Sequence, residues 1–164
     1  DQIRLSDRIL PVWGTCLGFE FLIEYMAGTI DRAHGKEPAP ILESGFVSTN
    51  VSWPLEQVDS YNLYAPHEIY AAVTQHNITL HNHIMGVRPS VFQEHDVLRQ
   101  HWRITSINHD ERGVPFVSTI EPVNRTIFPW YGVQYHPEKN AFVYGMANGE
   151  RSLYYEVIHQ DAVA

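Results

Sequence analysis

The stretch Pro11-Val12-Trp13-Gly14-Thr15-Cys16-Leu17-Gly18-Phe19-Glu20 decides the fold of this chain. The apolar run that begins at Ile9 and stops at Gly14 predicts a short buried strand. The apolar period then changes to that of a helix ending at Gly28, with one face formed by Phe19, Leu22, Ile23 and Met26. The chain is therefore predicted to run strand, tight turn, helix, with Cys16 in the turn.

This turn has the form of a nucleophile elbow, in which Gly14 and Gly18 flank the cysteine. Small flanking residues suit such a turn, because its backbone is strained and its neighbours crowd it. The N-terminus of the following helix favours a thiolate, so we expect the pKa of Cys16 to lie below the usual value of about 8.5. The backbone N–H of Leu17 would point to where an oxyanion develops. The alternative for a lone cysteine is an inert core residue.

A second candidate site follows the last predicted strand, at His136-Pro137-Glu138. Residues at i and i+2 of an extended segment lie on one side, so the carboxylate of Glu138 can hold the imidazole of His136. A thiol nucleophile needs a base, and the base needs an orienting acceptor. We therefore expect Cys16 to be the nucleophile, His136 the general base and Glu138 its orienting partner.

The remaining pattern mixes strands with helices and predicts an α/β fold in one domain, residues 1–164. Residues 29–43 are predicted to be a loop. The other predicted elements are a strand over Phe46–Trp53, a helix from Pro66, a helix opened by a Ser90–Gln93 capping box and reaching Trp102, a hairpin of Arg103–Asn108 and Val114–Ile120, a strand over Trp130–Tyr135 and a helix near Ser152–His159.

Composition restricts the function classes. The chain has 164 residues, a formal charge of −8 and 44% hydrophobic residues, so it is neither disordered nor suited to the phosphate backbone of nucleic acids. A single cysteine excludes an intrachain disulfide. No apolar run approaches the roughly 20 residues of a transmembrane helix. No nucleotide-binding glycine loop is present, and no cofactor is expected.

Three sequons bear on the compartment of the protein: Asn50-Val51-Ser52, Asn77-Ile78-Thr79 and Asn124-Arg125-Thr126. N-glycosylation at Asn50, Asn77 and Asn124 would require the secretory route. We therefore expect a lysosomal, vacuolar or secreted glycoprotein.

The stretch 11–20, together with Tyr131-Gly132-Val133-Gln134-Tyr135-His136-Pro137-Glu138-Lys139, resembles the γ-glutamyl hydrolase family of the class I glutamine amidotransferase-like superfamily. Phe116-Val117-Ser118-Thr119-Ile120-Glu121 resembles the family's strand before its last motif. The resemblance implies a sandwich with a central, mostly parallel sheet. It also implies a cysteine hydrolase that cleaves γ-glutamyl bonds of folate poly-γ-glutamates through a thioester intermediate.

Further features follow only from the resemblance. His83 matches a histidine of the family that is important for the substrate, with His81 as the competing assignment. Only fifteen residues precede Cys16, so the N-terminal strands of the family fold are expected to be absent from this chain and supplied by a missing segment or a companion chain. A homodimer is a separate expectation for the assembly. Val143 and Tyr144 stand where the family has an acidic residue and a tryptophan.

Two other functions are compatible with the same motifs. A glutaminase domain that supplies ammonia to a synthetase would use the same cysteine, histidine and glutamate. A non-catalytic structural subunit could have retained the motif. A metal site at His81-x-His83 is the weaker interpretation of the histidines, because no acidic ligand lies at a suitable spacing, and no metal is expected.

Overall fold

The computed structural model describes residues 9–29, 41–58 and 67–139 of the chain. The predicted helix near Ser152–His159, the positions Val143 and Tyr144, and most of the loop predicted over 29–43 lie outside these residues. The elements follow one another as β1 (Val12–Thr15), α1 (Leu17–Ala27), β2 (Glu43–Trp53), β3 (Glu56–Gln57), α2 (His67–Gln75), β4 (Thr79–Gly86), α3 (Pro89–Glu94), α4 (Asp96–His101), β5 (Trp102–His109), β6 (Pro115–Pro122) and β7 (Trp130–Val133).

The strands form two sheets. One has five strands in the order β1-β7-β6-β5-β3, and the other pairs β2 with β4. In the larger sheet β1 and β7 are parallel, whereas β7 with β6, β6 with β5 and β5 with β3 are antiparallel. The fold is mixed α/β as predicted, but a mostly parallel sheet is not confirmed in the described residues. Short connections join β5 to β6 and β6 to β7, and such connections favour antiparallel neighbours.

Helix α1 covers the sheet with the apolar face that the sequence predicted. Phe19 and Ile23 are fully buried, and Leu22 is 6% exposed. They join a core cluster with residues of the sheet and of α4, among them Trp102 and Ile120. Burial of one such side chain stabilises a fold by about 1.5–3 kcal/mol, so this face holds the helix against β1 and β7.

The C-terminus of α1 also agrees with the prediction. Gly28 has a φ of 77°, in the left-handed region, and its N–H donates to the carbonyl of Tyr25 at 3.1 Å. The N–H of Thr29 donates to the carbonyl of Glu24 at 3.0 Å. These two bonds form a Schellman motif, in which glycine adopts the left-handed conformation without steric cost.

Other element predictions had mixed outcomes. The strand over 46–53, the hairpin of β5 and β6 and the last strand are confirmed. The Ser90–Gln93 capping box is wrong: Arg88 is the N-cap, Pro89 occupies the first turn, and no side chain caps the helix. The helix predicted to reach Trp102 is divided at His95, which has an extended backbone. Strand β4 was not predicted.

Candidate active site

Cys16 lies between β1 and α1 in a conformation that side chains rarely adopt, with φ 49° and ψ −107°. Two hydrogen bonds hold it there. Its N–H donates to the carbonyl of Val133 at 2.8 Å, and its carbonyl accepts from the N–H of Glu20 at 2.9 Å. Such a conformation costs on the order of 1–3 kcal/mol and persists only where the surroundings impose it. The predicted elbow is therefore present, fixed by β7 on one side and by α1 on the other.

The two glycines of the elbow are not equivalent. A Cβ atom at Gly14 would lie 2.7 Å from Cδ1 of Leu22 and 2.8 Å from the carbonyl of Gly18, whereas a Cβ atom at Gly18 would have no atom within 4 Å. The prediction that both flanks must be small is thus confirmed for Gly14 only. Gly132 on β7 is a second position of close approach, because a Cβ atom there would lie 2.7 Å from Cδ2 of Phe19.

The thiol of Cys16 is half-buried, and its pKa is raised above its ordinary value. Burial is the largest cause, and the carboxylate of Glu20 is the next. The backbone N–H of Leu17, which donates to the sulfur, and the charge of Lys139 lower the pKa, while Glu138 raises it. The predicted lowering is therefore wrong for this structure, because burial and a neighbouring carboxylate outweigh the helix N-terminus.

Glu20 and Gln134 form a buried pair behind the thiol that sequence reasoning missed. Nε2 of Gln134 donates to Oε1 of Glu20 at 2.9 Å and lies 4.0 Å from Sγ of Cys16. Burial raises the pKa of Glu20, and the hydrogen bond from Gln134 partly offsets this. Glu20 was within reach of prediction, since residues four apart on a helix are neighbours. Gln134 was not, because 114 positions separate it from Glu20.

His136 and Glu138 meet as the sequence spacing predicted. Nδ1 of His136 donates to Oε1 of Glu138 at 2.6 Å, and the backbone N–H of His136 donates to the carbonyl of Leu80 at 2.8 Å. This arrangement leaves Nε2 of His136 with its lone pair, the form that a general base needs. Within the described part of the chain no hydrogen bond joins His136 to Cys16, although Glu138 is close enough for its charge to raise the pKa of the thiol.

A cleft of about 240 Å³ opens beside Cys16. It is lined, besides the cysteine, by Glu20, Thr49, Asn82, His83, Ile84 and Met85. The structure therefore brings two sequence-predicted residues, Cys16 and His83, to one cleft. The surrounding carboxylate, amide and imidazole groups give it hydrogen-bonding capacity for a polar substrate.

His83 lies on β4, with His81 beside it on the inward face. Nδ1 of His83 donates to the carbonyl of Met85 at 2.7 Å. Burial lowers the pKa of His83 to about 4, although its bond to Met85 works against this. In residues 9–29, 41–58 and 67–139, no group of three or more histidine, cysteine or acidic side chains could hold a metal ion.

The three sequon asparagines occupy different positions. Asn124 is exposed, and its side-chain oxygen accepts hydrogen bonds from the backbone N–H and the hydroxyl of Thr126, at 3.1 and 2.7 Å. Asn77 is exposed in the connection before β4. Asn50 lies within β2. None of the helices in the described ranges is both long and apolar enough to cross a membrane.

Comparison with known proteins assigns the chain to a family. A model of the family "Glutamine amidotransferase class-I" matches residues 3–154, so the chain belongs to this family. Within it, the predicted resemblance to γ-glutamyl hydrolases is confirmed. The chain is similar to "Gamma-glutamyl hydrolase B" of Dictyostelium discoideum, with 28% identity over 146 residues, covering 86% of this chain and 38% of the relative.

Two further relatives are also named as γ-glutamyl hydrolases. "Gamma-glutamyl hydrolase" of Mus musculus is 32% identical over 138 residues, which covers 80% of this chain and 38% of the relative. "Probable gamma-glutamyl hydrolase 3" of Arabidopsis thaliana is 31% identical over 141 residues, which covers 82% of this chain and 36% of the relative. The chain thus spans about two fifths of the length of these relatives.

Proposed function

We propose that the protein is a cysteine hydrolase that cleaves γ-glutamyl bonds of folate poly-γ-glutamates through a thioester. The observation that carries the proposal is the strained conformation of Cys16 at the end of β1, with its thiol beside a cleft that also contains Glu20 and His83. A folded chain retains such strain where the geometry serves a site. The relatives' name supports the type of bond that is cleaved.

In the first half of the reaction, Sγ of Cys16 attacks the γ-carbonyl carbon while its proton passes to Nε2 of His136. The carbonyl electron pair moves onto the oxygen, and the N–H of Leu17, which already donates toward the sulfur, stabilises the resulting oxyanion. When the carbonyl reforms, the bond to the leaving amine breaks. His136 gives its proton to that amine, and the glutamyl group remains on Cys16 as a thioester.

In the second half, Nε2 of His136 removes a proton from water, and the hydroxide oxygen bonds to the thioester carbon. The carbon–sulfur bond then breaks, and His136 returns the proton to the thiolate. Glu138 holds Nδ1–H of the imidazole through both halves and stabilises its cationic form. Catalytic hydrogen bonds often tighten only with substrate bound, so the His136–Cys16 contact belongs to the complex. No step requires a cofactor.

The test is glutamate release from a pteroyl-poly-γ-glutamate, followed by mass spectrometry at mildly acidic pH. Cys16→Ala should abolish release, and Glu138→Gln should lower kcat about a hundredfold by removing the charge that supports the imidazolium. Glu56→Gln is the matched control. Oε1 of Glu56 lies 2.9 Å from Nδ1 of His109, and neither residue lines the cleft. Release that survives Cys16→Ala would refute the proposal.

The same experiment separates the two other functions. Ammonia released from free glutamine, with no cleavage of the γ-glutamyl chain, would identify a glutaminase. No turnover of either compound by the folded protein would identify a structural subunit.

We also propose N-glycosylation at Asn124, and hence a secretory, lysosomal or vacuolar route. The exposed side chain and the turn formed with Thr126 support this site over Asn50, which lies in a strand. Removal of N-glycans should lower the mass of the natively purified protein, and Asn124→Gln should remove most of that difference. An unchanged mass after glycosidase treatment would exclude it.

We further propose that the outer face of β1 and α1 is covered by additional polypeptide in the working protein. Trp13, Leu17, Phe21 and Tyr25 expose half or more of their surface, and among the described strands β1 lies at the edge of its sheet. Exposed apolar patches of this kind mark interaction sites. Light scattering of natively purified, deglycosylated material should show a mass larger than 18.9 kDa. A species of that mass that is active and soluble would contradict the proposal.

A further inference from the structure

A line of polar contacts runs through the buried side of β4. Nδ1 of His81 lies 3.3 Å from Nε2 of His83, and Nε2 of His81 lies 3.3 Å from the hydroxyl of Thr79. The line ends at two backbone carbonyl oxygens. The carbonyl oxygen of Trp53 lies 2.6 Å from the hydroxyl of Thr79, and that of Met85 lies 2.7 Å from Nδ1 of His83. His81 is fully buried and His83 is 5% exposed, so both rings depend mainly on protein groups for their hydrogen bonds.

The direction of the hydrogen bonds is fixed at both ends of this line. Carbonyl oxygens only accept, so Thr79 gives its single proton to Trp53 and can only accept from Nε2 of His81. At the other end, Nδ1 of His83 must carry a hydrogen for Met85. The inner contact needs one hydrogen between Nδ1 of His81 and Nε2 of His83. Three hydrogens are therefore required on four ring nitrogens, whereas two neutral imidazoles supply only two.

We propose that His81 and His83 act as one unit that takes up a single shared proton, with His81 as a positioning residue for His83. The proton comes from solvent and leaves His81 neutral, with its hydrogen on Nε2, and His83 as an imidazolium. Without it, one contact consists of two facing lone pairs. With it, all contacts are complete, and a positive charge lies in the wall of the cleft that contains Cys16. That such a charge would attract a substrate carboxylate rests on the proposed function.

The surroundings determine the pH at which this proton binds. Burial is the largest cause that lowers the pKa of both histidines, and repulsion from the imidazolium form of His136, after β7, lowers it further; the ring of Tyr135 lies 5.9 Å from that of His81. Phe116 of β6 packs on both rings.

The α1 side of the cleft contributes the carboxylate of Glu20 and the thiol of Cys16. Burial is the main cause that lowers the pKa of both histidines below 6.5. The proton is therefore taken up in the acidic range.

The direct test is a pH titration of the protein with ¹⁵N-labelled histidine, because imidazole nitrogen shifts report which ring atom carries hydrogen. We expect the two rings to take up one proton with a midpoint near pH 4, ending with His83 doubly protonated and His81 protonated at Nε2. Three results would each overturn the proposal. The two rings could take up two protons independently, His81 could be protonated instead of His83, or no proton could be taken up before the fold is lost.

A pair of variants separates positioning from packing. In His81→Asn the amide oxygen can replace Nδ1 as acceptor for His83, whereas His81→Leu fills the site without an acceptor. We expect KM for the γ-glutamyl substrate at pH 4, where His83 takes up its proton, to rise about tenfold in His81→Leu, with kcat within twofold and near-normal values in His81→Asn. Equal pH profiles in both variants would refute the role of His81. If the wild type cleaves nothing, the proposed function fails, but the nitrogen titration still decides on the shared proton.

Discussion

The two glycines beside the cysteine allow a matched test of the elbow, since only one of them is sterically required. In Gly14→Ala the new methyl group would lie 2.7 Å from Cδ1 of Leu22 and 2.8 Å from the carbonyl carbon and oxygen of Gly18. Carbon atoms in ordinary contact are about 3.5–4.0 Å apart, so a displacement of the order of 0.7 Å is needed. Leu22 can rotate, but the carbonyl of Gly18 is backbone of α1 and must move with the helix.

Overpacking of this kind costs about 1–3 kcal/mol, and we expect the upper half of that range because backbone is displaced. For a chain of this size each kcal/mol lowers Tm by about 2–4 °C, so Gly14→Ala should melt roughly 4–12 °C below the wild type. Gly18→Ala adds its methyl group to open space at the start of a helix. Alanine is favoured over glycine in a helix by up to about 1 kcal/mol, so this variant should melt at or slightly above the wild-type temperature.

Thermal and urea unfolding of the three proteins, followed by circular dichroism, would measure these differences. The alkylation rate of Cys16 in the folded proteins reports whether the elbow itself has moved, and it should change in Gly14→Ala but not in Gly18→Ala. If both variants lose similar stability, or if Gly14→Ala unfolds like the wild type, the close approach between β1 and α1 is not as described.

Three further predictions concern charge. Glu20→Gln should lower the pKa of Cys16, because the carboxylate raises it, and the pH dependence of iodoacetamide alkylation would show a shift to lower pH. Asp110→Asn should destabilise the fold by about 2–3 kcal/mol in urea unfolding, because the buried carboxylate accepts from three backbone N–H groups and from Arg112. An effect below about 0.5 kcal/mol would contradict this. The lowered pKa of His83, about 4, means that the unfolded chain binds more protons between pH 6.5 and 4. The contribution of His83 to the free energy of unfolding should therefore fall by about 3 kcal/mol as the pH drops through this window, and the pH dependence of His83→Gln should be smaller than that of the wild type by this amount.

The part of the fold that the sequence predicted depends on local signals. The change of apolar period around Cys16 predicted a strand followed by a helix, and Gly28 predicted the end of that helix, which α1 confirms. The strand was predicted to be buried and to begin at Ile9, but β1 begins at Val12, and Ile9, Leu10 and Trp13 are more than half exposed. Strand β4 was missed because its inward positions include the polar residues Thr79, His81 and His83 where a core strand normally has apolar ones. Their burial results from tertiary contacts with β2 and β6, which the local pattern does not contain.

In the site, too, the local contacts were predicted from the sequence and the long-range contacts were not. The short-range pair of His136 and Glu138 followed from spacing, and the structure places the two in contact. The pKa of Cys16 was predicted in the wrong direction, because the helix N-terminus is visible in the sequence whereas burial and the proximity of the Glu20 carboxylate are not. The bond between Glu20 and Gln134 joins distant parts of the chain, so it required the fold to be known first.

The central claim is that Cys16 forms a covalent thioester with the glutamyl group. The most direct measurement is the intact mass of natively purified protein, mixed with a pteroyl-poly-γ-glutamate and quenched in acid within one turnover. We expect a mass increase equal to the acyl portion of the substrate, located on Cys16 by peptide mapping and absent in Cys16→Ala. Hydrolysis of the substrate without any adduct, and at an unchanged rate in Cys16→Ala, would contradict the mechanism and assign the reaction to another group.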